Sequence, residues 1–161
     1  MFVSVVIPTY NRLPILEKCL SALEDQQLAG ALQDYEVVVV DDGSTDGTPS
    51  WLSEQSYRFP HVRLIEQEHG GPAEGRNRGV DHARGDVIVF IDSDLVVTET
   101  FLATHARALH QCWQRRGDRL CLPMALLSTP PTSKHPARSA TNYVTCPGLI
   151  SPPAMWPSIG R

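Results

Sequence analysis

The chain has 161 residues, 42% of them hydrophobic and 20% charged, with a formal net charge of −4 at pH 7. All eighteen acidic residues precede position 121, whereas residues 121–161 hold three basic residues and eight of the thirteen prolines. The acidic part has no basic stripe interleaved with aromatics, which argues against nucleic acid as a partner, and no apolar run approaches the roughly 20 residues that a transmembrane helix needs.

Phe2 to Ile7 is apolar and β-branched and reads as a buried strand, broken by Pro8-Thr9-Tyr10-Asn11, with Asn11 placed to cap the next helix. Leu13, Leu16, Leu20 and Leu23 follow at helical spacing as one buried stripe. Val37 to Val40 is a second buried strand, closed by Asp41-Asp42-Gly43-Ser44, and a helix starting near Asp46 carries Trp51 and Leu52 inward. His61 to Ile65 reads as a weaker third strand. Gly70-Gly71-Pro72 punctuates, and Ala73 to Ala83 reads as a helix with arginines on one side. Val87 to Ile91 is a continuous apolar strand of the kind covered on both faces. Beyond it Thr98 can cap a helix whose Phe101, Leu102, His105, Ala106, Leu109 and Trp113 share a face.

This alternation implies an α/β fold, a mostly parallel sheet with helices on both faces. The first strand is too short to be a signal peptide, so the expected setting is cytoplasmic, with peripheral membrane attachment as the variant. Cys19, Cys112, Cys121 and Cys146 show no Cys-x-x-Cys pairing and no histidine at metal spacing, which argues against a disulfide framework or a zinc site.

Every ligand-like segment falls after a strand, so all of them meet on one rim, the C-terminal edge where open α/β sheets bind ligands. Asp92 and Asp94 end the fourth strand, because unpaired carboxylates cannot remain in a buried apolar run. Two hard oxygen donors one residue apart suit Mg2+ or Mn2+, whose remaining positions phosphate oxygens and water can fill. The first strand is not followed by Gly-x-Gly-x-x-Gly, which counts against a dinucleotide-binding Rossmann domain, and no Gly-x-x-x-x-Gly-Lys is present for a P-loop.

Four segments in order, Val5 to Arg12, Val39 to Asp46, Gly71 to Gly79 and Asp92-Ser93-Asp94, resemble the family 2 glycosyltransferases of the GT-A fold, over residues 2 to roughly 118. The resemblance implies the nucleotide-sugar-binding half of an inverting transferase. Asp94 would coordinate the metal bridging the diphosphate, and Asp92 would lie beside the ribose and that metal. Asp42 would accept from the base ring N–H while Asp41 supports the turn. Pro8, Thr9 and Tyr10 would shape the base pocket, with Tyr10 able to stack on the ring, and Arg76 would reach the diphosphate. Asn77 is left open between ligand contact and local hydrogen bonding. Arg12, Arg78 and Asp46 read as surface or capping residues. The expected donor is a UDP-sugar, then a GDP-sugar; the acceptor is a saccharide, lipid or protein.

Residues 1–120 form the expected nucleotide-sugar-binding region. Residues 121–161 depart from the family pattern, either as a disordered Pro-rich tail or as a frameshift product. Synonymous codons for residues 149–158 exist whose neighbouring frame reads as a strand-like Gly-Asn-containing peptide; the bases of the gene decide the matter. No Asp or Glu follows Asp118, so the acid that would deprotonate the acceptor is unassigned, and the expectation is a truncated enzyme or a binding fragment without turnover.

Overall fold

The computed structural model describes residues 1–116 and the backbone of 125–126, 141–142 and 144–145. Four parallel strands, β1 (Phe2–Thr9), β2 (Asp34–Asp41), β3 (Val62–Glu66) and β4 (Val87–Phe90), stand in the order β3-β2-β1-β4. They are joined by α1 (Leu13–Glu24), α2 (Thr48–Glu54) and α3 (Pro72–His82), and α4 (Phe101–Arg116) follows β4. Two-residue strands β5 (Ala125–Leu126) and β6 (Thr141–Asn142) pair antiparallel with each other. The last strand, β7 (Val144–Thr145), pairs antiparallel with β4, Ile88 opposite Thr145. The expectation of a disordered or frameshifted segment at 121–161 otherwise falls outside the described residues.

The strand order explains the two layers. The chain steps from β1 to β2 to β3 in one direction, then α3 carries it back past β1 to β4. A right-handed crossover made in the reverse direction packs its helix on the opposite face. Val3, Val5 and Ile7 accordingly join Val37, Val39, Val87 and Val89 against Leu16, Leu20 and Leu23 of α1 and Leu102, Ala106 and Leu109 of α4. Val6, Val38, Val40 and Ile88 form a smaller core with Val80 under α3. Pleat alternation sorts them, because neighbours along a strand face opposite ways.

The helix α3 lies unusually close to β1. A Cβ on Gly79 would stand 2.2 Å from Val6 Cγ1, and one on Gly75 would stand 3.1 Å from Pro8 Cβ. These two buried glycines are the flat side of the helix, one turn apart, and they set its height above the sheet.

Three local expectations are corrected. Pro8 does not break β1, which continues to Thr9: the last β1–β4 partners are Val6 and Phe90, so the missing proline N–H falls beyond the ladder and forfeits no bond. Asn11 does not cap α1. It takes a left-handed φ of 51°, its amide N–H donates to Ser44 Oγ at 2.9 Å, and its Oδ1 accepts from Thr45 N–H at 2.7 Å. Asp46 supplies the cap from the neighbouring loop, accepting from Leu13 N–H at 2.9 Å, and it also starts its own helix by accepting from the N–H and hydroxyl of Thr48. Helix α4 begins at Phe101, where Gln26 Oε1 accepts from Leu102 N–H at 3.0 Å; the Thr98 carbonyl, not its side chain, is the group engaged, receiving Phe101 N–H and the Gln26 amide. Asp46→Ala should cost about 1 kcal/mol, the usual size of a lost N-cap, read as a lower denaturation midpoint in urea.

Cys112 is disulfide-bonded, where the cysteine spacing gave no reason to expect a bridge. Cys19 is on the buried face of α1, and burial, with a smaller contribution from Asp94, pushes its thiol up to about 12. A thiol held protonated in this way is a packing group.

Candidate functional site

The rim residues meet where the strand order reverses. β1 and β4 are adjacent, yet the chain leaves β1 toward β2 and returns to β4 only after α3, and such a switch point opens a crevice at the strands' carboxyl ends. A cleft of about 420 Å³ lies there, and Pro8, Thr9, Tyr10, Asp42, Arg76, Asp92 and Asp94, every residue singled out for it from the sequence, lines it. Arg12, His69, Pro72 and Ser93 complete the wall.

Asp41 and Asp42 leave the end of β2 with different tasks. Asp41 Oδ2 accepts from Ser44 N–H at 2.9 Å and so closes the turn. Asp42 is buried, 3% exposed, and its carboxylate reaches across to the β3–α3 loop. Oδ1 accepts from the Gln67 amide at 2.7 Å and Gly70 N–H at 2.8 Å; Oδ2 accepts from Gly71 N–H at 2.8 Å and faces His69 Nδ1 at 2.9 Å. A carboxylate offers about four acceptor positions; three take these hydrogen bonds, and His69 Nδ1 beside the fourth hydrogen-bonds the Asp42 backbone carbonyl at 3.1 Å. Burial alone would push this carboxyl up. The Gly70 N–H, the Gln67 amide, the Gly71 N–H and the His69 ring together outweigh it and hold the group below its ordinary value.

A depressed folded-state pKa fixes the sign of the pH dependence. The stability that these bonds supply is complete above the unfolded-state value of about 4 and is lost as pH falls through the lower folded-state value. Asp46 is shifted the same way, burial raising it and its bonds with Thr48 and Leu13 lowering it by more. Urea midpoints measured from pH 6 downward should therefore hold until about pH 4 and then fall, and Asp42→Asn should flatten that fall.

Tyr10 and His69 form the cleft's aromatic edge, ring centroids 4.3 Å apart and tilted by 31°. Tyr10 is 43% exposed, so an outer face remains for another ring to stack on. Thr9 Oγ1, also in the cleft wall, is buried without a hydrogen-bond partner among the described residues. At the other end of the cleft Asp92 and Asp94 each face an arginine. Arg76 Nη2 donates to Asp92 Oδ1 at 2.7 Å, and Arg12 Nη1 stands 3.4 Å from Asp94 Oδ2.

Arg12 and His69 are the wall residues that sequence reasoning passed over. Arg12 reads as a surface or capping residue because nothing in its spacing points 82 positions along the chain to Asp94. His69 follows β3 on the same rim as the other motifs, and that position was the available signal; the strand's weak pattern hid it.

Asp92 and Asp94 are hard oxygen donors whose carboxylates are about half exposed, 51% and 52%, and they fit a divalent cation. Among the described residues no group of three or more His, Cys, Asp or Glu is placed to hold a metal. Two carboxylates match the incomplete protein share that Mg2+ takes when phosphates supply the rest.

The fold is that of the GT-A glycosyltransferases, parallel strands layered with helices. The chain matches the family model of glycosyl transferase family 2 over residues 4–112 and belongs to that family. It is 38% identical over 108 residues to the uncharacterized glycosyltransferase YfnE of Bacillus subtilis, which covers 67% of this chain and 27% of that protein. It is 36% identical over 117 residues to glycosyltransferase AglE of Haloferax volcanii, 72% of this chain and 34% of the other. Among solved structures, S. aureus TarS in complex with UDP superposes with a TM-score of 0.60 at 30% identity, over 69% of this chain and 32% of that one. The mannosyltransferase PcManGT from Pyrobaculum calidifontis, in complex with GDP-Man and Mn2+, gives 0.51 at 38% identity, over 57% and 27%. The chain thus spans about a quarter to a third of the length of these proteins. Among the described residues no helix is long and apolar enough to cross a membrane.

Proposed function

We propose that the cleft holds a nucleotide-diphosphate sugar together with Mg2+ or Mn2+, and that the chain is the donor-binding part of an inverting glycosyltransferase. The observation that carries this reading is the convergence of four chain segments on one cleft, with an aromatic edge and a buried carboxylate at one end and two exposed carboxylates at the other. TarS with UDP and with UDP-GlcNAc, and PcManGT with GDP-Man and Mn2+, support it. A UDP-sugar is the first candidate donor and a GDP-sugar the second.

On this reading the base stacks on the outer face of Tyr10 between Pro8 and Thr9, and its ring N–H donates to Asp42. The acceptor position of Asp42 that remains lies beside His69, whose side chain is 58% exposed and can swing into water to admit the base. Asp94 and Asp92 would hold the cation beside the diphosphate. When bound, that cation offsets the negative charge gathering on the departing diphosphate, which is the main barrier to breaking the sugar–phosphate bond. Arg76 adds a second positive group at the same place. Deprotonation of the acceptor hydroxyl is assigned to no described residue.

Titration calorimetry of UDP and GDP into the full chain tests the reading. With millimolar Mn2+ the affinity should be at least about tenfold higher than in EDTA, the size of one strong charge-assisted interaction. Equal affinity in both buffers would remove the metal from the proposal. A sugar-release assay on the same sample separates this reading from donor binding without transfer.

A further inference from the structure

Both candidate metal carboxylates are already paired with arginines from other elements. Arg76 of α3 holds Asp92 at 2.7 Å, and Arg12, at the start of α1, holds Asp94 at 3.4 Å. We propose that Arg12 and Arg76 are exchangeable counter-cations of this site, neutralising Asp92 and Asp94 until a divalent cation replaces them and frees both guanidiniums for the diphosphate. The inference rests on the metal-and-diphosphate reading of the cleft and assigns Arg12 to it.

Charge balance gives the reason. Two carboxylates and two guanidiniums leave this end of the cleft neutral, a poor match for a ligand with a negative charge on each phosphate. A divalent cation that merely joined them would be repelled by the arginines; one that displaces them leaves the end doubly positive, with two planar donors facing outward. Guanidinium suits phosphate at least as well as carboxylate, through the same fork of N–H donors. Exchange is also easy. Three of the four side chains are about half exposed and Arg76 is 38% exposed, and ion pairs in such settings are weak enough to be given up.

Two couplings follow. Without nucleotide the arginines compete with the metal, so metal alone binds weakly. With nucleotide present the freed arginines gain a partner, so metal and diphosphate each tighten the other, as linkage requires.

The test is Mn2+ binding to the full chain without nucleotide, followed by the loss of the free-ion EPR signal, with UDP calorimetry at saturating Mn2+ on the same samples. Arg12→Ala and Arg76→Ala should each tighten Mn2+ alone by about two- to fivefold, the span of exposed ion pairs. Each should weaken UDP by about tenfold, the loss of a charge-assisted bond to phosphate. Arg12→Lys, which keeps the charge, should return Mn2+ binding toward the unaltered value. Mn2+ affinity that is unchanged or weaker in the alanine variants overturns the exchange, and unchanged UDP affinity in Arg12→Ala overturns its diphosphate role. Asp94→Ala is the separate control: if it lowers Mn2+ affinity while the arginine variants do nothing, the metal site stands and the exchange falls. If Asp94→Ala binds Mn2+ as before, the metal site itself falls.

Discussion

Asp42→Ala should destabilise the chain by about 3 kcal/mol, the sum expected when a buried carboxylate's several charge-assisted bonds are lost and their donors must find water. The residue is 3% exposed, and its carboxylate joins the end of β2 to the loop that leads into α3. Without it the N–H groups of Gly70 and Gly71 lose the acceptor that folds this loop over the strand ends. The consequence reaches the far end of the cleft, because the loop sets the start of α3 and α3 carries Arg76 to Asp92. Nucleotide binding should therefore disappear along with the stability, even where folding is restored by low temperature. Asp42→Asn separates the two losses. It preserves shape and one oxygen but turns an NH2 group toward donors, so it should be less stable than the parent by a smaller margin and still fail to accept from a base. Urea denaturation and UDP calorimetry on both variants measure this; an Asp42→Asn chain that binds UDP normally would remove Asp42 from the base pocket.

The rim itself was legible from sequence. The apolar runs at Val3 to Ile7, Val37 to Val40 and Val87 to Ile91 can be buried only in a covered parallel sheet, and the polar residues that follow each must then share one edge. Strand periodicity carries that information locally. What it does not carry is the set of contacts between loops. Asn11 met the capping rule in sequence, yet Asp46, 33 positions from Leu13, reaches the helix end first, and Asn11 is left to tie two loops together. Gln26 reaches Leu102 across 76 positions in the same way. Each substitutes a tertiary acceptor for a local one, and the choice depends on loop paths that no residue spacing encodes. The same reason hid Arg12 and His69: Arg12 meets Asp94 only when β1 lies beside β4, and His69 meets Asp42 only when β3 lies beside β2. The closeness of α3 was legible in principle, since Gly75 and Gly79 are one turn apart, but two glycines in a polar helix read equally well as weakness.

Gly79→Ala distinguishes these readings. In an exposed helix the change would stabilise by up to about 1 kcal/mol, because glycine is the poorer helix former. Here the new methyl would lie 2.2 Å from Val6 Cγ1, inside any permitted contact. Val6 cannot move aside: it is β-branched, with a stiff χ1, fully buried, and fixed in a strand paired on both edges. The helix must therefore rise, opening the smaller core, and overpacking of this sort costs about 1–3 kcal/mol. We expect a net loss near 2 kcal/mol, seen as a melting temperature lower by about 5–10 °C for a domain of this size. Gly75→Ala provides the graded comparison. Its methyl would sit 3.1 Å from Pro8 Cβ, a contact that a shift of a few tenths of an ångström relieves, so its loss should be well under half as large. Lifting α3 also lengthens the reach from Arg76 to Asp92, which stand 2.7 Å apart in the native packing. On the exchange proposed for the arginines, Gly79→Ala should then behave as a partial Arg76 deletion, binding Mn2+ alone slightly more tightly and UDP more weakly at temperatures where the chain is still folded. A Gly79→Ala chain as stable as the parent would show that α3 does not rest on Val6, and the positioning of Arg76 would need another cause.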